Sequence, residues 1–370
     1  MRPHNDPKAS LPEHHPLFQR LEKVRRRGGR VTTRVIDQAH GGGGKAMRDL
    51  IEDLIVGAFG DQNLDVGEDQ ARFELAHLTA LGDRLAFTTD TYVVTPLAFP
   101  GGDIGKLAVN GTINDLAVGG ARPLYLSCGL VIEEGFEVAT LRQILRSMAS
   151  AARAAGVSIV TGDTKVVQHG AADGLFINTS GVGVIPKHVE VGAHRIRADD
   201  VLLINGFLGD HGAALLAARG ELSLDAAIPS DCAALNELTS ALTAEVEVHA
   251  MRDVTRGGLA AVLNELAQSS DIAIVVDGSA LPVRPEVEGF CEILGLDPVH
   301  LANEGKLVAA IPQSQAEHAL SIMRRHPLGE QAAVIATCKP SPPGLVTLDT
   351  GFGGERILDM LVGEPLPRIC

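Results

Sequence analysis

A small set of acids stands where phosphoryl or proton transfer would need them. Asp90 closes "TTD", Asp115 lies in "TINDLAV", Asp163 in "VTGDTK" and Asp253 in "MRDVTRGG". Each ends an apolar stretch or opens a polar or glycine turn, where a lone acid would serve as an N-cap or Asx-turn residue. Four in one chain make a set of hard oxygen donors of the kind Mg²⁺ takes together with water and substrate phosphates. Spacing alone does not say which of them converge. Glu304 sits in an Asn-Glu-Gly turn before a strand. It is a solvated turn residue unless the fold carries that turn to the acids of the first half. Lys165 follows Asp163 by two residues and can pair with it. Cys370 is the last residue, behind Pro365 and Pro367, and nothing after it buries its thiol.

Two further stretches could hold a phosphate or a nucleotide. In "AHGGGGKAMRDLI", His40 precedes four glycines that lead into a helix, and Gly42, Gly43 and Gly44 would expose backbone N–H groups to an anion. Ala46 after Lys45 rules out the Walker A spacing, so a plain flexible loop stays open as the other reading. In "DIGKLAVNGTINDLA", Lys106, Asn110 and Asn114 recur at i, i+4 and i+8, with Asp103 three residues ahead. They draw one polar stripe on a helix of small apolar residues. The stripe suits an adenosine or phosphate–metal wall, or equally a helix buried against a polar loop.

The surrounding pattern supplies the elements that must position these residues. "RLAFTTD", "PLYLSCGLVI" and "GLFINTSGVGVIP" read as strands, and "VSIVTGDT" as a buried strand running into a polar turn. "KAMRDLIEDLIVGAF" and "VATLRQILRSMASAARAAG" read as helices, the second stopped by Gly156. "RADDVLLINGFLGDHGAALLAARG" opens a second unit as strand, glycine turn and helix. The chain of 370 residues, 45% apolar and with no Trp, is thus expected to form two α+β domains packed with small aliphatic residues. The expected division is a mobile extension at 1–30, domains at 31–190 and 191–350, and a tail at 351–370 without a packing signal beyond "FGGERILDML".

A net charge of −14 argues against a nucleic-acid partner. No apolar run has the ~18–20 residues of a membrane span, and no secretory h-region opens the chain. Five cysteines far apart, without a C-x-x-C pair, fit a reduced, cytoplasmic protein rather than a zinc site or a disulfide framework.

From about Val31 to Cys370 the chain resembles one family. "HGGGGK", "TTDTYVVTPLAFPGGDIGKLAVNGTINDLAVGGARPLYLS", "TGDTKVV", "DVTRGGLA", "NEGKL" and the closing "PRIC" are similar to the HypE family of carbamoyl dehydratases, hydrogenase maturation factors of the wider PurM-like group. The "FPGGDIGKLAVNGTINDLA" block and "PRIC" are the specific part, whereas a lone "HGGGG" is weak. The resemblance implies a PurM-like architecture with a flexible C-terminal tail, a homodimer formed through the N-terminal domain, and ATP with Mg²⁺ in a cleft. It further implies that Cys370 carries the substrate. A carbamoyltransferase, HypF, loads a carbamoyl group onto its sulfur. ATP-dependent dehydration turns that group into a thiocyanate, and the cyanide passes to a HypC–HypD scaffold for the iron of [NiFe]-hydrogenase.

By motif match, Asp90, Asp115, Asp163 and Asp253 become the Mg²⁺ and phosphate carboxylates. Lys106, Asn110, Asn114 and Thr164 become nucleotide contacts, with His40–Gly44 as a cover. Glu304 becomes the base at the carbamoyl nitrogen, and Lys165 a charge stabiliser or proton relay. Gly42 replaces a hydroxyl-bearing residue of the family loop, and the acidic stretch before the first strand is altered to "LDVGEDQARFEL", which leaves Asp69 unassigned. Selenophosphate synthesis and thiamine-phosphate phosphorylation, both chemistries of the wider group, leave "PRIC" unexplained. A silent ATP-binding scaffold that only presents Cys370 leaves the acids and Lys165 without a task.

Overall fold

The computed structural model describes residue 16 and residues 29–60, 68–220, 228–351, 353–363 and 366–370. The expected extension at 1–30 therefore lies almost wholly outside the described residues, as does Pro365.

Four strands form the first sheet: β1 (Arg84–Tyr92), β4 (Arg122–Glu133), β5 (Ser158–Val167) and β6 (Leu175–Ile185), in the order β1-β6-β4-β5. A short hairpin, β2 (Ala98–Phe99) with β3 (Gly102–Asp103), leads into the helix Ile104–Val118. That helix and Val138–Ala154 cover one face of the sheet, and the second shows the expected apolar stripe of Leu141, Ile144, Leu145 and Met148. Neither of these two helices covers the other face; the short helix Leu75–Leu81 meets β6, and Phe73 before it stacks on Tyr125. Leu85 (61% exposed) and Phe87 (71%) stand on that other face in alternation with the inward Ala86 and Thr88.

Seven strands form the second sheet: β7 (Asp200–Ile204), β8 (Ala250–Asp253), β9 (Ala273–Asp277), β10 (Leu307–Pro312), β11 (Ala333–Lys339), β12 (Val346–Asp349) and β13 (Glu355–Ile357). Their order is β13-β12-β9-β11-β7-β10-β8, with β12 and β9 parallel and the other pairs antiparallel. β7 and β10 are nearly all Val, Leu, Ile and Ala because both faces of this sheet are covered. Helices Asn236–Glu245 and Ala316–Arg324 pack on one face, and Gly258–Ser270 on the other.

The two units share one apolar seam. Tyr92, Ile104 and Leu107 of the first belong to the same buried cluster as Leu215, Phe290 and Leu301 of the second. β13 pairs with β12, and Leu358, Leu366 and Ile369 are buried, the last two inside the seam cluster. Two isolated apolar residues have no period, so sequence gave no sign that they pack.

Candidate active site

Asp103 starts the helix Ile104–Val118 by accepting the Lys106 N–H at 2.8 Å. Threonines pin the helix to the sheet: Thr88 Oγ1 donates to Asp115 Oδ2 at 2.9 Å, and Thr179 Oγ1 to the Ala108 carbonyl at 2.9 Å. Gly111 lets Tyr92 cross the helix closely, since a Cβ there would lie 2.2 Å from the Tyr92 hydroxyl oxygen. Asp115 is thereby set against Asp90 on the covered face of the sheet.

The amide stripe does not line an open wall. Asn110 Nδ2 lies 3.5 Å from Cys232 Sγ. Asn114 Nδ2 donates to the Ala233 carbonyl at 3.0 Å and to the Glu304 carbonyl at 3.4 Å, while its Oδ1 accepts Leu235 N–H at 2.8 Å. Both amides are buried against a polar loop of the second unit. Lys106 Nζ donates to the Gly101 carbonyl at 2.9 Å.

The same loop fixes Glu304. Asp231 accepts the N–H groups of Glu304 (3.0 Å) and Gly305 (3.1 Å) and the Lys306 ammonium (2.9 Å). Gly305 is required there, because a Cβ would fall 2.1 Å from the Asp231 carbonyl oxygen. The buried Lys306 charge holds Asp231 below the usual carboxylate range despite its burial. Glu304 is affected the opposite way. Burial, then the charges of Asp231, Asp253 and Asp90, push its proton affinity well up. Burial and then Asp115 push Asp253 up to about 7, and burial raises Asp115 as well, with Asp90 adding to it.

Arg256 supplies the opposing charge. Its own pKa is raised first by Cys370 and then by Asp90 and Glu304, and it lines one cavity with Leu366 and Ile369 of the tail. The fold therefore brings the charges of Asp90, Glu304 and Cys370 to bear on Arg256, while Asp253 feels Asp115 and Asp90. A cleft of about 870 Å³ between the two units opens on Thr88, Asp115, Asp253 and Thr255.

Asp163, Thr164 and Lys165 lie elsewhere. β5 continues to Val167 instead of turning after Gly162, so they sit within a strand. In register they pair with Gly129, Leu130 and Val131 at the far edge from β1. Asp163 and Lys165 alternate with the inward Thr164 and point to the open face, where their ion pair of 2.7 Å is exposed and lowers the Asp163 pKa. The chain thus does not bring them to its own Asp90 and Glu304. The glycine loop lies at this edge too. His40 is buried, its Nδ1 2.8 Å from Asp37 Oδ1, and Gly41 abuts Val166, while Gly43 and Gly44 are open. Next to it, Met47, Ile51, Ile159, Gly162 and Thr164 line a cavity of about 500 Å³, with Asp69 and Asp163 at its wall.

Among the described residues, no group of three or more His, Cys, Asp or Glu is placed to hold a metal ion unaided. Asp115, Asp253 and Glu304, each raised by burial and then by neighbouring acids, still fit a hard cation that brings phosphate and water as its remaining ligands. Sequence reasoning missed Arg256, Asp231 and Lys306. The first follows Asp253 in "DVTRGG" and the last closes "NEGK", so both stood inside motifs already singled out. Asp231 in "IPSDC" carried only a turn signal.

Comparison with known proteins places the chain in a family. Residues 67–185 match the family model of the AIR synthase related protein N-terminal domain, and 197–347 that of the C-terminal domain. Carbamoyl dehydratase HypE of Rhodobacter capsulatus is 59% identical over 333 residues, which span 90% of this chain and 97% of the relative. A crystal structure of the hydrogenase maturation protein HypE in complex with ATP superposes with a TM-score of 0.85 at 46% identity, covering 90% of this chain and 99% of that one. That of a HypE–HypF complex gives 0.73 at 44%, covering 84% and 99%. The chain belongs to the HypE family of carbamoyl dehydratases.

Proposed function

We propose that this chain uses ATP and Mg²⁺ to dehydrate a carbamoyl group carried on the Cys370 sulfur, yielding a thiocyanate whose cyanide serves the iron of [NiFe]-hydrogenase. The observation that carries the reading is the tail docked at the seam, with Cys370 packed on the shared apolar cluster and Leu366 and Ile369 lining one cavity with Arg256.

A carbamoyl oxygen is a poor leaving group, so it is first phosphorylated. Its oxygen forms a bond to the γ-phosphorus, the β–γ bridging bond breaks, and ADP leaves. The C–O electron pair then departs with phosphate while nitrogen loses two protons and the C≡N bond forms. Glu304 takes a proton from nitrogen once it has released its own, and its burial among Asp231, Asp253 and Asp90 makes the bare carboxylate a stronger base than a solvated one. Arg256 offsets negative charge on the transferring oxygens. Asp253 with Asp115 or Asp90 would hold Mg²⁺, which when bound neutralises phosphate charge.

The open sheet face with Leu85 and Phe87 supports a homodimer through the N-terminal domain. Asp163 and Lys165 lie on that face. Their proposed parts, phosphate or metal binding and proton relay, would act across the subunit interface, with His40–Gly44 and Thr164 bordering the nucleotide. By analogy with the HypE–HypF complex, HypF would load the carbamoyl group, and HypC–HypD would accept the cyanide. No described helix is long and apolar enough to cross a membrane, and we place the reaction in the cytoplasm, without nucleic acid.

The test is a mass measurement on the Cys370 peptide after incubation with the carbamoyltransferase, carbamoyl phosphate, ATP and Mg²⁺, with Cys370→Ala as control. A carbamoyl adduct that loses one water only with ATP is expected. An adduct that persists despite ATP would leave a carrier without dehydratase activity, and an adduct on the Cys370→Ala protein would remove Cys370 from the reading.

A further inference from the structure

The tail is gripped by its main chain. The carbonyls of Pro367 and Arg368 accept from Arg219 Nη2 at 2.8 and 2.9 Å, and that of Arg368 also from Thr95 N–H at 3.2 Å. The Ile369 carbonyl accepts from His211 Nε2 at 2.8 Å, and the Cys370 carbonyl from Val93 N–H at 3.1 Å. Four successive carbonyls thus have donors from the body of the protein, two of them on side chains. Those side chains are themselves fixed. Arg219 Nε donates to the Thr95 carbonyl at 3.0 Å, so one guanidinium ties the tail to the segment beside it. His211 is fully buried, edge-on to Phe99 at 5.4 Å between centroids. Its Nδ1 lies 2.8 Å from Ser230 Oγ, which accepts Cys232 N–H at 3.1 Å. The direction is consistent along the chain: Cys232 N–H to Ser230 Oγ, its hydroxyl to Nδ1, and Nε2–H to the Ile369 carbonyl.

We infer that His211 and Arg219 are positioning residues that dock the tail by its backbone and present Cys370 to the acids and Arg256. The inference rests on the proposed carrier role of Cys370 and deepens it. These hydrogen bonds fall on main-chain carbonyls, so they are the same whether the sulfur is bare, carbamoylated or converted to thiocyanate. Buried Leu366 and Ile369 add apolar anchorage that is equally blind to the cargo. The donors come from both units, Val93 and Thr95 from the first, His211 and Arg219 from the second. The dock therefore forms only where the two units meet, which is where the acids converge.

The test reads docking without carbamoyl chemistry. The other four cysteines are buried, so the native-state reaction rate with a small water-soluble aromatic disulfide reports Cys370, and Cys370→Ser identifies that signal. Arg219→Ala and His211→Ala are expected to raise the rate about tenfold, the effect of losing one or two hydrogen bonds. His211→Gln, which keeps an N–H donor, should fall back toward the wild-type rate. On preloaded protein the two alanine variants should slow dehydration, with loading by the carbamoyltransferase unchanged. Wild-type thiol reactivity in Arg219→Ala would overturn the dock, and this variant alone decides the matter if His211→Ala does not fold. A failed carrier assignment would show instead in the mass measurement, leaving the thiol result standing.

Discussion

Replacing Asp253 by Asn should make the protein more stable at alkaline pH, although the position belongs to the proposed metal site. The ordinary pKa of an aspartate, 3.8, is raised here to about 7 by burial and by Asp115 and Asp90. Below about pH 4 both folded and unfolded chains carry the proton, and the group is neutral to stability. Between about 4 and 7 the unfolded chain releases a proton that the folded protein keeps, so stability falls as pH rises. Above 7 the whole cost stands. A shift of this size corresponds to roughly 4 kcal/mol at ~1.4 kcal/mol per pH unit. Partial solvent access and repulsion shared with Asp115 reduce it to about 2 kcal/mol. Asn removes the charge at nearly constant volume. For a unit of 150–250 residues, about 2 kcal/mol raises the melting temperature by roughly 4–8 °C. Thermal melts followed by circular dichroism at pH 8 and pH 4, without Mg²⁺ or nucleotide, should show that gain at pH 8 and almost none at pH 4. ATP with Mg²⁺ should stabilise the wild type more than the variant. A variant less stable than wild type at pH 8 would refute the reasoning, because the carboxylate would then be making favourable native contacts.

The other predictions concern the base, its support and the open face. Glu304→Gln should accept the carbamoyl group at the wild-type rate yet accumulate it without forming thiocyanate. Nitrile production at the wild-type rate, read by mass, would remove Glu304 from the mechanism. Asp231→Asn leaves the buried Lys306 charge unpaired and should cost about 3–5 kcal/mol, measured by urea denaturation. An unchanged midpoint would mean that Lys306 finds solvent or another partner. Phe87→Glu places a charge on the open sheet face, and light scattering should show monomers for the variant and the proposed dimer for the unaltered chain. An unaltered mass for the variant would move the interface elsewhere.

How much was legible in sequence depended on the range of the contacts involved. The strand to Asp90, the helix capped by Asp103 and the helix ending before Gly156 follow from period and caps, which are local. The amide stripe was legible as a stripe, but its use was not. Asn114 is spent on Ala233 and Leu235, more than 100 residues away. Asp163 was expected at a strand end because "GDT" carries turn residues. In the fold, parallel pairing with β4 carries the strand through them, and alternation then turns Asp163 and Lys165 away from Asp90. The convergence of Glu304 with Asp90 was open in sequence and depends on Asp231, a buried acid with no motif of its own.

The shared apolar seam fixes what moves in this protein. With Tyr92 and Ile104 packed in one cluster with Leu215 and Phe290, the two units have little freedom to hinge, and travel falls to the tail. Twelve residues separate Ile357, at the end of the last strand, from Cys370. Once released, such a tether spans about 20 Å root-mean-square, which keeps the cysteine at an effective concentration in the millimolar range around its dock. A handful of hydrogen bonds and two apolar side chains are ample at that concentration, and a tighter grip would only slow departure. A partner that binds the tail in the micromolar range can therefore draw it out by mass action. The exchange between loading and dehydration then needs no opening of the domains.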